Sequence, residues 1–210
     1  MANVSLSASK ILADRELVPG CDELRGRIEP SVQQDLFDFW RSLWRDGVMP
    51  GRKDIDPAKI PRLLPHIGLI DVLPGPSFRY RLIGTAMVNT FKTDFTGREL
   101  FEAKSDDYAD VLFDLYRDCT ESQVPIYSRS RFLYPDNAVS TFGDSGLDTI
   151  RLLLPLSEDK QEVNMLLFSM VAVWTENTAN KNLLVIEDSI GFVEKQRIRV
   201  AGPENSTLLA

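Results

Sequence analysis

Two short apolar runs, residues 67–73 and 78–83, flank Pro74-Gly75-Pro76, and no other feature constrains this 210-residue chain so tightly. Apolar runs separated by Pro and Gly read as a β-hairpin. A three-residue loop sets Ile70 opposite Tyr80 and Asp71 opposite Arg79. Strict alternation then puts Ile70, Val72, Phe78, Tyr80 and Leu82 on one face, and Leu69, Asp71, Arg79 and Arg81 on the other. Asp71 and Arg79 read as a structural cross-strand ion pair worth about 0.2–1 kcal/mol, with a functional switch as the other reading. Just upstream, Asp56-Pro57 supplies a helix N-cap followed by Pro at the first helical position. Pro61 and Pro65 then break any long helix into irregular turns. His66, the single histidine, stands at the strand entrance, where a hydrogen bond to backbone suits it better than a ligand role.

The rest of the chain supplies helices before the hairpin and strands after it. Ser31 and Gln34 fit a capping box that opens a helix over residues 31–47. Leu36, Phe37, Phe39, Trp40, Leu43 and Trp44 occupy about half its circumference. That stripe either caps the sheet of its own domain or presents a surface to a partner or a second copy. Phe37, Phe39, Trp40, Leu43 and Trp44 are therefore the candidate interaction surface. A short helix is expected over residues 85–92. Asp94 and Thr96 before Gly97 form a turn lock. Ser105 caps a long helix reaching Ser122, with Val111, Leu112, Leu115, Tyr116 and Cys119 on its apolar stripe. Strands are expected at residues 126–134, 150–156 and 165–174, the last apolar on both faces as a central strand should be. Residues 135–148 read as a long hairpin loop. Residues 1–30 read as a mobile leader, residues 31–175 as the domain, and residues 176–210 as an extension with strand-like pieces at 183–187 and 198–200.

Three pieces, DIDPAKIPRLLPHIGLIDV, FRYRLIGT and DFTGREL, carry a resemblance to a PAS-type domain. They resemble specifically the alphaproteobacterial PAS-like family first described as a domain of unknown function, and the resemblance covers residues 32–174. It implies an α+β fold: a five-stranded antiparallel sheet with helices on one face, joined by the N-terminal amphipathic helix and the C-terminal extension. It also implies a sensory or signalling module and no reaction. In that pattern the short helices wall an internal pocket and the long helix forms its floor. The candidate ligand-binding wall is then Tyr80, Leu82, Phe91, Leu112 and Tyr116, mostly apolar with a few polar groups. Haem-binding PAS proteins commonly place a His on the long helix, and flavin photoreceptor versions share an Asn-Cys-Arg-Phe-type motif. Neither occurs in this sequence, so the cofactor is left unassigned.

Composition narrows the function classes. The net charge of −7 argues against nucleic acid, whose binders neutralise phosphates with a basic face. No phosphate-binding glycine loop, Ser-His-Asp set or metal-ligand spacing occurs, so no catalytic or metal residue is assigned and no enzyme is expected. Cys21 and Cys119 lie far apart, and Cys119 reads as a packed thiol. No apolar run is long enough to span a membrane, and a reduced, cytoplasmic setting fits two unpaired cysteines. The expected partners are an unidentified signalling protein, a small-molecule ligand and a second copy of the chain. The competing reading is an adaptor whose core is filled by its own side chains and which acts only through protein contacts.

Overall fold

A computed structural model describes residues 15–18, 20–45, 47–75, 77–100, 107–133, 145–176 and 191–200, with side chains over 20–45, 47–75, 77–100, 113–129 and 149–172. The strands are β1 (Arg15–Val18), β2 (Ile67–Leu73), β3 (Ser77–Ile83), β4 (Ile126–Leu133), β5 (Ser145–Leu156), β6 (Met165–Glu176) and β7 (Gly191–Val200). The helices are α1 (Cys21–Arg27), α2 (Ser31–Ser42), α3 (Thr85–Phe91) and α4 (Asp107–Ser122). The sheet runs β1-β7-β4-β5-β6-β2-β3. Strands β2 to β6 form the expected five-stranded antiparallel unit, with β6 central between β5 and β2. Strand β7 extends it antiparallel to β4, and β1 lies parallel to β7.

Helices cover both faces. On the inner face, α3 and α4 close a core of Ile70, Phe78, Met87, Leu115, Leu153 and Phe168. On the outer face, α1 and α2 close a second core of Leu24, Leu36, Phe37, Trp40, Leu152 and Leu167. Each fully buried Leu or Phe contributes roughly 1.5–3 kcal/mol, so the N-terminal helices are part of the domain's stability. Arg25–Asp38 (2.8 Å) and Arg41–Asp22 fasten α1 to α2. Trp44 follows α2 and packs against both cores.

The hairpin register is as expected: Leu73 pairs with Ser77 around three residues, Ile70 with Tyr80, and Asp71 with Arg79. One residue later the faces change. Leu69 pairs with Leu82, so Arg81 is an extra residue on β3, a β-bulge. The bulge turns Leu82 away from Tyr80 and onto the outer face beside Leu69. It also aims Arg81 and Arg79 together at Asp71, at 3.3 and 3.0 Å. Alternation alone cannot reveal it, because an inserted residue inverts every position beyond it.

Other boundaries shift for physical reasons. Within the expected leader, residues 15–18 pair with β7 as β1 and residues 21–27 form α1, where Cys21, Leu24 and the following Ile28 are buried in the outer core. Pro30, not Ser31, caps α2: its carbonyl accepts the N–H of Gln33 and of Gln34, while the Gln34 side chain donates to the Ile28 carbonyl at 2.6 Å. The expected capping box therefore does not form. Helix α2 ends at Ser42, where the chain turns through the Arg45–Val48 bridge with Gly47 at φ 75°. Residues 145–148 of the expected loop pair with β6 as the start of β5. His66 is half-buried and its backbone N–H bonds to the Leu63 carbonyl, but its ring makes no hydrogen bond among the described residues. The Ser105 cap, the Leu112 side chain, most of the 135–148 loop and residues 183–187 lie outside the described residues.

Candidate functional site

Four polar residues meet on the inner face. Tyr116 reaches from α4, Tyr80 from β3, Arg151 from β5 and Ser128 from β4. Tyr116, Arg151 and Ser128 are 2%, 3% and 1% exposed. Ser128 and Arg151 are direct cross-strand neighbours. The Arg151 guanidinium donates to the Thr149 hydroxyl at 3.0 Å. Burial pushes the Tyr116 phenol up, opposed by the Arg151 charge and by hydrogen bonds with Tyr80 and Arg151. The Ser128 hydroxyl is buried and has no hydrogen-bond partner among the described residues. Such a group costs about 1–3 kcal/mol unless something satisfies it. Rings close in around the group: Phe78 lies 5.6 Å from Tyr116, and Tyr80 lies 5.9 Å from Phe168 and 5.8 Å from Phe95.

Local sequence explains this placement. Asp94 accepts the Thr96 N–H at 2.9 Å and Gly97 adopts φ 84°. The turn lays residues 97–100 along β3: Gly97 N–H bonds to Tyr80 O, Tyr80 N–H to Arg98 O, and Leu100 N–H to Phe78 O. Phe95 is thereby held on Tyr80, with Arg98 6.0 Å above the Phe95 ring. Gly68 has its own reason: a Cβ there would lie 2.2 Å from the Phe168 ring.

Of the candidate ligand wall, Tyr80, Phe91 and Tyr116 meet on the inner face. Leu82 does not join them; it is 44% exposed on the other side of the sheet. The side chain of Leu112 lies outside the described residues. Sequence reasoning missed Arg151 and Ser128. The available signal was one arginine inside the otherwise apolar IRLLLPL run of a strand with strands on both sides.

The outer face holds a groove of ≈ 420 Å³. Its floor is Ile67 and Leu69 of β2 with Leu82 of β3, and its wall is built by Ile55, Pro57 and Leu64. Prolines at 57, 61 and 65 allow only single 3-10 turns, Arg52–Asp54, Pro57–Lys59 and Leu64–His66. Asp56 caps the second by accepting the Ala58 N–H at 3.0 Å, as expected. These turns bury Ile55, Ile60 and Leu63 and leave Leu64 36% exposed. Gly84 ends the groove where the chain crosses the last turn: a Cβ there would sit 2.4 Å from the Pro65 carbonyl oxygen.

The candidate interaction surface divides in two. Phe37 and Trp40 are 0% and 1% exposed, with the Trp40 indole N–H donating to the Pro155 carbonyl at 3.0 Å. Phe39, Leu43 and Trp44 are partly buried against the same outer core.

Neither thiol is placed for chemistry. Burial pushes Cys21 up to about 11 and Cys119 well above its usual value, and the Cys119 thiol donates to the Val124 carbonyl at 3.3 Å. Among the described residues there is no group of three or more His, Cys, Asp or Glu that could hold a metal ion, and no helix long and apolar enough to cross a membrane.

No curated protein matches the chain in sequence. The PAS domain family, in its PAS_5 form, does match, over residues 28–171. That span runs from the buried Ile28 after α1 to Val171 in β6 and takes in α2, the hairpin, the Asp94 turn and the five-stranded unit. It is well over half of the chain, and the family is one of sensory and signalling modules that are generally non-catalytic: this protein belongs to the PAS domain family.

Proposed function

We propose that the protein is a non-catalytic sensory module that binds a small amphipathic molecule on the inner face and signals through a partner protein. The observation that carries this reading is the unpaired Ser128 hydroxyl beside buried Arg151 and Tyr116. A bound oxygen or nitrogen group would satisfy the hydroxyl, and the surrounding rings would take an apolar body. In this reading the chain works in the cytoplasm and pairs with a second copy through Phe39 and Leu43, since Phe37 and Trp40 are already occupied by their own sheet.

A second reading, an adaptor with a self-filled core, draws support from the ring contacts of Phe78 with Tyr116 and Phe113, each at 5.6 Å. Native mass spectrometry of protein purified from its own host separates the two. Retained small-molecule mass, lost in Ser128→Val, supports the sensor. A clean apo mass across several growth conditions supports the adaptor. Sedimentation equilibrium of wild type and Phe39→Asp tests the pairing; a wild type that stays monomeric at high concentration removes it.

A further inference from the structure

We propose that the outer groove is a second, separate ligand site, and that it takes a free anionic amphiphile: a linear acyl chain ending in a carboxylate. The reading is independent of the inner-face proposal, because the sheet itself separates the two sites.

Shape and size point to a small molecule. The groove's ≈ 420 Å³ falls within the range of small-molecule pockets, about 300–1,000 Å³. Leu64 and Leu82 are the large hydrophobic side chains that stand exposed among the described residues, and both line it. An apolar floor that includes Leu82, with Leu64 on its wall, suits a chain better than a ring with polar edges, since hydrophobic contact is non-directional.

Charge selects the head group. Arg52 is the one charged residue on the lining. Its Nη1 donates to the Ile55 carbonyl at 3.2 Å, and its backbone N–H binds the Glu158 carboxylate at 2.8 Å. The side chain is thus held at the groove without a carboxylate partner among the described residues. The same turns carry Lys53 and Lys59, with Arg62 just beyond, all exposed and free of ion pairs among the described residues. The acids beside them keep their charge, and Asp54, Asp56 and Glu158 each accept a backbone N–H, from Gly51, Ala58 and Arg52. Arg52 is thus the charge that the groove itself presents, and it is positive in a chain of net charge −7. A carboxylate at Arg52 with its chain along Leu64 and Leu82 satisfies both features.

The test is calorimetric titration with decanoate, kept below its micelle concentration, against the full chain. Decanoate should bind, and each methylene added to the probe should tighten binding about fourfold until the groove is filled. Decyltrimethylammonium should bind at least tenfold more weakly. Arg52→Gln should weaken decanoate about tenfold, the loss of one hydrogen bond to a charged group. Leu82→Asp and Leu64→Asp, both at exposed positions, should abolish binding with far-UV dichroism unchanged, and Ser128→Val should leave it unaltered. The proposal fails if decanoate gives no binding, or if the cationic and anionic probes bind alike. It fails too if Ser128→Val abolishes binding while Leu82→Asp does not, which would put the ligand on the inner face. Binding seen only with anionic phospholipid vesicles would overturn it in favour of a membrane surface.

Discussion

The two faces of one sheet are closed by different means, and each leaves a different opening. The outer face is covered by α2, whose Leu36, Phe37 and Trp40 are fully buried, and by proline-broken turns that cannot follow the sheet closely. What remains open there is an apolar groove at the solvent edge. The inner face is covered by α3 and α4 and packed with rings, and its irregularity is polar: Tyr116, Arg151 and an unpaired Ser128 hydroxyl. Gaps in a cover give apolar grooves, whereas buried polar side chains need a specific partner. A single sheet can therefore offer two sites of opposite character without any change of fold.

The largest effects should come from removing each face's anchor. Trp40→Ala on the outer face and Tyr116→Ala on the inner face should each cost about 3–5 kcal/mol, read from urea midpoints. If Trp40→Ala cost less than about 1 kcal/mol, α2 would be an appendage and the two-cover description would fail. The glycines give the next effect, about 1–3 kcal/mol each by overpacking. Gly84→Ala drives a methyl into the Pro65 carbonyl on the groove side, and Gly68→Ala drives one into the Phe168 ring on the inner side. All three nearest neighbours of a Gly84 Cβ are backbone atoms, whereas a Gly68 Cβ meets the Phe168 ring first and the Leu82 carbonyl at 2.8 Å, so Gly84→Ala should be the more damaging of the two. The reverse order would show that the groove wall yields more readily than the aromatic packing.

Asp71 sharpens the comparison at the hairpin. Its two arginines are 46% and 57% exposed, so the pairs are screened by solvent. Asp71→Ala should cost less than about 1 kcal/mol by thermal or urea unfolding. A larger loss would mean that the bulge depends on the pairs, and that Leu82 owes its outward position to charge.

What could be read in advance follows from periodicity. The β2–β3 register was legible because Pro74-Gly75-Pro76 fixes the loop length and alternation fixes the rest. The burial of Phe37 and Trp40 was one of two readings that the stripe allowed, and only the packed sheet decided it. Leu82 was misplaced because a bulge carries no signal in hydrophobic alternation. Arg151 was passed over because an arginine within an apolar strand reads as an exception to the pattern, not as a member of a group built from three other elements. The groove was invisible for the opposite reason. The prolines announce broken turns, yet the space beneath them depends on where Leu64 and Leu82 end up in three dimensions.

The smallest expected effect is acid sensitivity, and it distinguishes the turns that serve the two faces. Asp94, in the turn that holds Phe95 on Tyr80, has its carboxyl lowered by hydrogen bonds with Thr96. Asp159, in the β5–β6 hairpin beside Glu158, is lowered by the N–H groups of Gln161 and Glu162 and by Ser157. Glu158 in turn holds the Arg52 backbone at the groove. A carboxylate lowered in the folded state stabilises it fully above the ordinary unfolded value of about 3.9, and the contribution is lost as pH falls through the folded value. Both groups are exposed, so the change should be modest. Urea midpoints from about pH 6 down to about pH 3 should fall more for wild type than for Asp94→Asn or Asp159→Asn, since neither variant has that carboxylate to protonate. Decanoate affinity should weaken in Asp159→Asn and not in Asp94→Asn, because only the first turn is linked to Arg52. Parallel curves for all three proteins would mean that these turns are held by geometry alone. Equal effects on decanoate would mean that the two faces are not independent.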